Sequence, residues 1–263
     1  VREAFKEWRA RARDLIRLDI PPEQAFWDSG AQAGLFPGAA DSGSADPGER
    51  AVCVPPSFLD LARRVSCHAD PVWRDLLYRA LWRLAAGETH LLALASDPLV
   101  RRLALMDAGV RRDAHKAKAF VRFRKVGGGE GEGEDRYIAW HRPDHRVLPL
   151  IAPFFKDRFA AMRWTILTPD ESLDWDGTDL RFLPGLPRSS APEGDVLEDL
   201  WRAYYRAIFN PARVKVKAMK AEMAVRHWPT LPEASIIPEL LAGAPARVAA
   251  MVRERRKMDQ AAG

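Results

Sequence analysis

Two cysteines, Cys53 and Cys67, are all that a chain of 263 residues contains. That is too few for a disulfide framework, a CxxC…CxxC zinc site or a three-cysteine iron–sulfur ligand set, so the sequence reads as one for a reducing compartment without structural zinc. No run of eighteen apolar residues occurs, and VREAFKEWRARARDLIRL at the start is a charged helical pattern rather than the apolar core of a signal peptide. These absences point to a cytoplasmic protein with no membrane partner. The signatures GxxxxGK, GxGxxG, GxSxG and HExxH are missing as well. GGGEGEGED, residues 127–135, is glycine-rich, but its three glutamates would repel a phosphate. No cofactor and no metal are read from the sequence.

What is present is a globular composition, 47% hydrophobic and 29% charged, enough for one sizeable core or two modest ones. The net charge of +5 is unevenly spread. Residues 101–125 hold nine Lys/Arg against two acids, and residues 201–228 hold seven against one, leaving about −8 for the remainder. Two basic segments in an otherwise acidic chain can build a positive field for a polyanion if they share a face, or can simply be solvated helix faces.

The pattern predicts an N-terminal helical segment within residues 1–27, with Phe5, Trp8, Ala12, Leu15 and Ile16 at helical spacing over about 2–18. A Gly/Ala/Ser/Pro-rich linker follows at 28–56. An α+β core domain spans 57–243, and 244–263 reads as a frayed tail. Ser57 reads as the cap of one helix, a second runs near 70–86 with Gly87 as its C-terminal cap, and a third starts after Asp97-Pro98. Residues around Val121–Val126 and Tyr137–His141 alternate as strands. Pairing about a turn near 131 opposes residues whose numbers add to about 262. Asp144 reads as the cap of a helix over 145–159. MRWTILTP, DWDG and DLRFLPG then form an antiparallel meander turning at Asp176-Gly177. Trp201, Tyr204 and Tyr205 lie at helical spacing with Leu197 and Ile208, as core residues or as stacking groups. The architecture expected is a helical layer on a small, mainly antiparallel sheet.

The hairpin register places His141 near Val121 and His145 near Lys118. His115, His141, Asp144 and His145 could then gather at one end of the sheet, as acid–base groups, metal ligands, phosphate contacts or structural residues. Cys67 beside His68 reads as core rather than as a nucleophile.

WRARARDLIRLDIPPEQAFW, FLDLARRVSCHADPVWRDLLYRALWRL, RRDAHKAKAFVRFRKV, YIAWHRPDHRVLPLIAPFFKDRFAAMRWTILTP and YYRAIFNPARVKVKAMKAEMAVRHWPTLPE together resemble a bacterial domain of unknown function. That domain occurs N-terminal to UdgX-type uracil-DNA glycosylases, or alone beside a radical-SAM protein associated with DNA modification or repair. The resemblance covers about residues 2–242 and implies a role in DNA repair or modification, with no catalytic residues to carry over. No GEQPG-like or HPS-like glycosylase motif and no CxxxCxxC is present, so neither neighbouring activity resides in this chain. MAVRHW stands where the family commonly has a proline after EM.

The function expected is that of a DNA-associated accessory domain holding the phosphate backbone while a partner enzyme performs the chemistry. The contacts expected are Arg111, Arg112, Lys116, Lys118, Arg122 and Arg124 from the first segment, and Arg213, Lys215, Lys217 and Lys220 from the second. The alternatives are an enzyme acting on a damaged or modified nucleotide through His115, His141 and His145, or an interaction module for a radical-SAM or glycosylase partner.

Overall fold

A computed structural model of the chain describes residues 2–27, 53–126, 135–190, 206, 209–211, 219, 223 and 225–261. They divide into two compact units: Val1–Ala114 with Asp144–Leu150, and His115–Pro143 with Ile151–Gly263.

The first unit is helical. Helix α1 (Arg2–Arg17) turns Trp8, Ala12 and Ile16 inward at the spacing one face of a helix dictates. The Trp8 indole N–H donates to the Arg74 carbonyl at 3.0 Å. Helix α2 (Pro56–Val65) starts one residue before the expected Ser57 cap, because Pro55 and Pro56 carry its entry and no side chain caps it. Proline at the first helical position costs no hydrogen bond and presets φ. Helix α3 (Trp73–Ala85) ends as read: Gly87 adopts φ 103°, where a side chain would be strained. Its N–H donates to the Leu84 carbonyl, and that of Glu88 to Arg83, both at 3.1 Å. Phe58, Ala62, Val65, Leu77, Tyr78 and Leu103 make the centre of this core. Burying a large apolar side chain of this kind contributes roughly 1.5–3 kcal/mol.

Helix α4 (Pro98–Phe120) opens as the sequence indicates. Asp97 Oδ1 accepts the N–H groups of Leu99 and Val100 at 2.9 and 3.1 Å, filling donors that the first turn leaves unsatisfied.

The second unit is built on a five-stranded sheet in the order β1-β2-β3-β4-β5: Arg124–Val126, Arg136–Trp140, Arg163–Leu167, Glu171–Trp175 and Leu180–Pro184. β1 and β2 pair antiparallel with Arg124 opposite Ile138 and Val126 opposite Arg136, the register anticipated from the hairpin. β2 and β3 are parallel, joined through helix α5 (Leu148–Arg158), and the remaining pairs are antiparallel. The class is α+β. Helix α5 begins at Leu148, so Asp144 is not its cap. The β4–β5 turn is the expected one: Gly177 adopts φ 97°, and Asp176 Oδ1 accepts the N–H groups of Thr178 and Asp179 at 2.9 and 2.8 Å. Strands β3 and β4 are central and almost wholly buried, with Trp164, Ile166 and Leu173 fully so. Phe123 sets its ring edge against Phe155 and Phe159.

The last described helix, α6 (Ile237–Ala261), continues through residues 244–261. Ala234–Arg253 is long and apolar enough by composition to cross a membrane, and among the described residues no other helix is. Ala234, Ile237 and Leu241 at the start of this stretch pack in one cluster with Met223, Leu231 and Trp228, while 22% of the apolar window is buried. Residues 225–230 form a 3-10 turn, and the Trp228 indole donates to the Met223 carbonyl at 3.1 Å; the position after Glu222-Met223 lies outside the described residues.

Candidate nucleic-acid interface

Helix α4 sorts its charges by sign. Val100, Leu103, Met106, Val110, Ala114 and Ala117 recur every three or four residues and are buried. The helix's two acids, Asp107 and Asp113, share that inward side and are 8% and 4% exposed. Asp107 takes the Arg64 guanidinium at 2.5 Å, with Arg111 at 3.7 Å. Asp113 Oδ2 accepts the His145 backbone N–H at 2.8 Å. Arg101, Arg102, Arg111, Arg112, His115 and Lys118 are exposed, and Lys116 is half-buried. The outward charges of the helix are therefore all positive.

Several other cations among the described residues are neutralised locally. Arg79 pairs with Asp75, Arg83 with Glu88 and Asp97, Lys125 with Asp135, Arg136 with Asp174 and Arg181 with Asp176. Arg101, Arg102, Arg112, Lys116 and Lys118 have no acid partner among the described residues. Lys118 instead lies 5.3 Å from the centroid of the Phe154 ring. Arg101 and Arg102 were within the basic segment but not among the residues singled out from it; the signal available was their place on the same outer stripe of the helix.

The other expected contacts are placed differently. Arg122 donates from Nη1 to the Ala119 and Val121 carbonyls at 2.6 and 3.3 Å, finishing the end of α4. Arg124 is half-buried in β1 opposite Ile138. Arg213, Lys215, Lys217 and Lys220 lie outside the described residues, as do Trp201, Tyr204 and Tyr205.

The three candidate histidines fall into separate settings. His115 is exposed on α4. His141, 1% exposed in the second unit, stacks on His227 with ring centroids 5.3 Å apart, and His227 in turn stacks on Phe120. His145 belongs to the first unit and stacks on His68 at 4.3 Å. Nδ1 of His145 accepts the Ala69 N–H at 3.3 Å, and Nδ1 of His68 accepts the Asp70 N–H at 3.1 Å. Burial, and next the neighbouring charge of His145, hold the His68 imidazole below its ordinary proton affinity. His68 entered the sequence reading only as a neighbour of Cys67, and Cys67 is buried core, as read. Among the described residues no three His, Cys, Asp or Glu side chains converge as a metal ligand set.

The molecule is thus an α+β protein of two compact units in which α4 presents a row of cations without acid partners among the described residues. Residues 72–233 match the family described as a domain of unknown function, DUF4130, and the chain belongs to that family. No curated protein and no solved structure matches it.

Proposed function

We propose that this protein is a DNA-associated accessory factor in DNA repair or modification, acting in the cytoplasm, which grips the phosphate backbone through the outer face of α4. The observation that carries this reading is the sorting of charge on that helix: both acids turned inward, and five outward cations left without an acid partner among the described residues. Unneutralised cations on a rigid helix are available to phosphates, and each phosphate they neutralise releases counterions from the duplex. Such contacts give affinity without reading sequence. The second basic segment, with Arg213, Lys215, Lys217 and Lys220, extends the same grip. The chemistry belongs to a partner, a radical-SAM protein or a UdgX-type uracil-DNA glycosylase, as the resemblance implies.

The test is fluorescence anisotropy with a labelled duplex at low salt. Binding is expected for the native protein and a strong loss for Lys116→Glu with Lys118→Glu. No binding at low salt, or equal binding by the double variant, would refute the role of α4.

A further inference from the structure

Trp140 ends β2 half-buried, and its indole N–H donates to the Leu186 carbonyl at 3.3 Å. Arg188 sets its guanidinium carbon 5.5 Å from the centroid of that ring. A second attachment fixes it: Nη2 donates to the Pro229 carbonyl at 2.9 Å. Arg188 is nevertheless exposed, and it has no acid partner among the described residues. Its charge is held by an aromatic face and a neutral carbonyl, neither of which cancels it. Arg142, exposed and likewise without an acid partner among the described residues, follows Trp140 by two positions.

A guanidinium is planar and weakly hydrated, so one that rests on an aromatic ring can accept a second flat group on its other side. The flat groups of a nucleic acid are its bases, which stack on aromatic rings and on arginine planes alike. Within a duplex both faces of a base are covered by its neighbours, and only an unpaired or extruded base has a face to offer. We propose that Trp140 and Arg188 form a stacking site for an unpaired nucleobase of DNA, with Arg142 supplying a contact to the adjoining phosphate. This inference rests on the DNA-binding reading and narrows it: α4 holds backbone of any kind, and the Trp140–Arg188 platform selects strands with an accessible base. The selection is tolerant of base identity, because every base has a π face.

The test compares two single-stranded oligonucleotides of equal length and charge, one with bases and one made of abasic units, by fluorescence anisotropy at fixed low salt. The native protein should bind the strand with bases about tenfold more tightly, the size expected of one stacked base. Arg188→Lys keeps the charge and removes the plane, and it should abolish the preference while still binding the abasic strand. Circular dichroism checks its folding. Should that variant not fold, photocrosslinking of the native protein to a 5-iodouracil oligonucleotide gives the same answer, with Trp140 or Arg188 expected in the crosslinked peptide. Equal affinity for the two strands, a preference that survives Arg188→Lys, or crosslinks confined to other segments would overturn the platform and leave the role of α4 standing. No binding of any DNA at low salt would overturn both.

Discussion

His68 and His145 face each other with ring centroids 4.3 Å apart and planes tilted by 31°. Each Nδ1 accepts a backbone N–H, from Asp70 and Ala69 respectively, and an accepting nitrogen holds a lone pair. The pair fastens residues 144–147 within the first unit, together with the His145 N–H on Asp113 and the Arg146 N–H on the Cys67 carbonyl, both at 2.8 Å.

Acid should loosen this fastening. The folded protein holds His68 below its usual value of 6.5, by burial first and by His145 and Arg102 in addition, against the opposing pull of Asp70. As pH falls, the unfolded chain takes up the proton before the folded one. The contribution of His68 to stability is complete above pH 6.5 and is lost as pH drops through 6.5 toward the lowered folded value. Thermal melts across this range should show a declining midpoint. His68→Asn, whose amide oxygen can still accept the Asp70 N–H, should flatten that decline. An unchanged slope in the variant would exclude His68 as its source.

Gly109 lies beneath the His145 ring: a methyl group there would meet Nε2 at 3.1 Å, a few tenths of an ångström too close. Alanine in a helix is otherwise favoured over glycine by about 1 kcal/mol. Gly109→Ala should therefore realise that gain only partly, or lose stability, in the native background. In a His145→Ala background the full gain of about 1 kcal/mol should appear. A urea-denaturation double-mutant cycle measures the difference, and additive effects would show that the ring can move aside freely.

An asymmetric ion pair links strands β2 and β4. Asp174 on β4 is buried and accepts the Thr165 hydroxyl at 2.7 Å, while Arg136 on β2 reaches it with a side chain that is 51% exposed. Removing the arginine strands a buried carboxylate, so Arg136→Ala should cost about 3 kcal/mol. Thr165→Val removes two hydrogen bonds at constant shape, the one its hydroxyl donates to Asp174 and the one it accepts from Arg136 Nη2 at 3.1 Å, and should cost about 2 kcal/mol. Replacing the pair together, Arg136→Met with Asp174→Leu, should recover most of the loss. A double replacement no more stable than Arg136→Ala would contradict this ordering.

Local pattern carried the parts of the fold that local physics controls. Alternation around Phe123 and Ile138 marked the two strands, a turn near residue 131 set the β1–β2 register, and Asp97-Pro98 marked the start of α4. The parallel pairing of β2 with β3 was not legible, because periodicity identifies a strand but not its neighbour across a helical crossover. Asp144 resembled a cap, but tertiary contacts to Asp113 and Cys67 hold residues 145 and 146 outside the helix. The cations of α4 were readable from composition. Their lack of acid partners was not, since it depends on Asp107 turning inward to Arg64, far away in sequence. Arg122 looked equivalent to Lys118, yet the end of α4 consumes it. The stacking of His145 on His68 left no trace in spacing at all.

The salt dependence of DNA binding tests the role of α4 most directly. Affinity for a short duplex would be measured between about 50 and 200 mM salt for the native protein and for Arg112→Gln with Lys116→Gln. Each lost phosphate contact should flatten the plot of log affinity against log salt by about 0.9, so a drop approaching two is expected of the pair. A slope identical in the two proteins, with affinity intact, would contradict a phosphate-binding face on this helix.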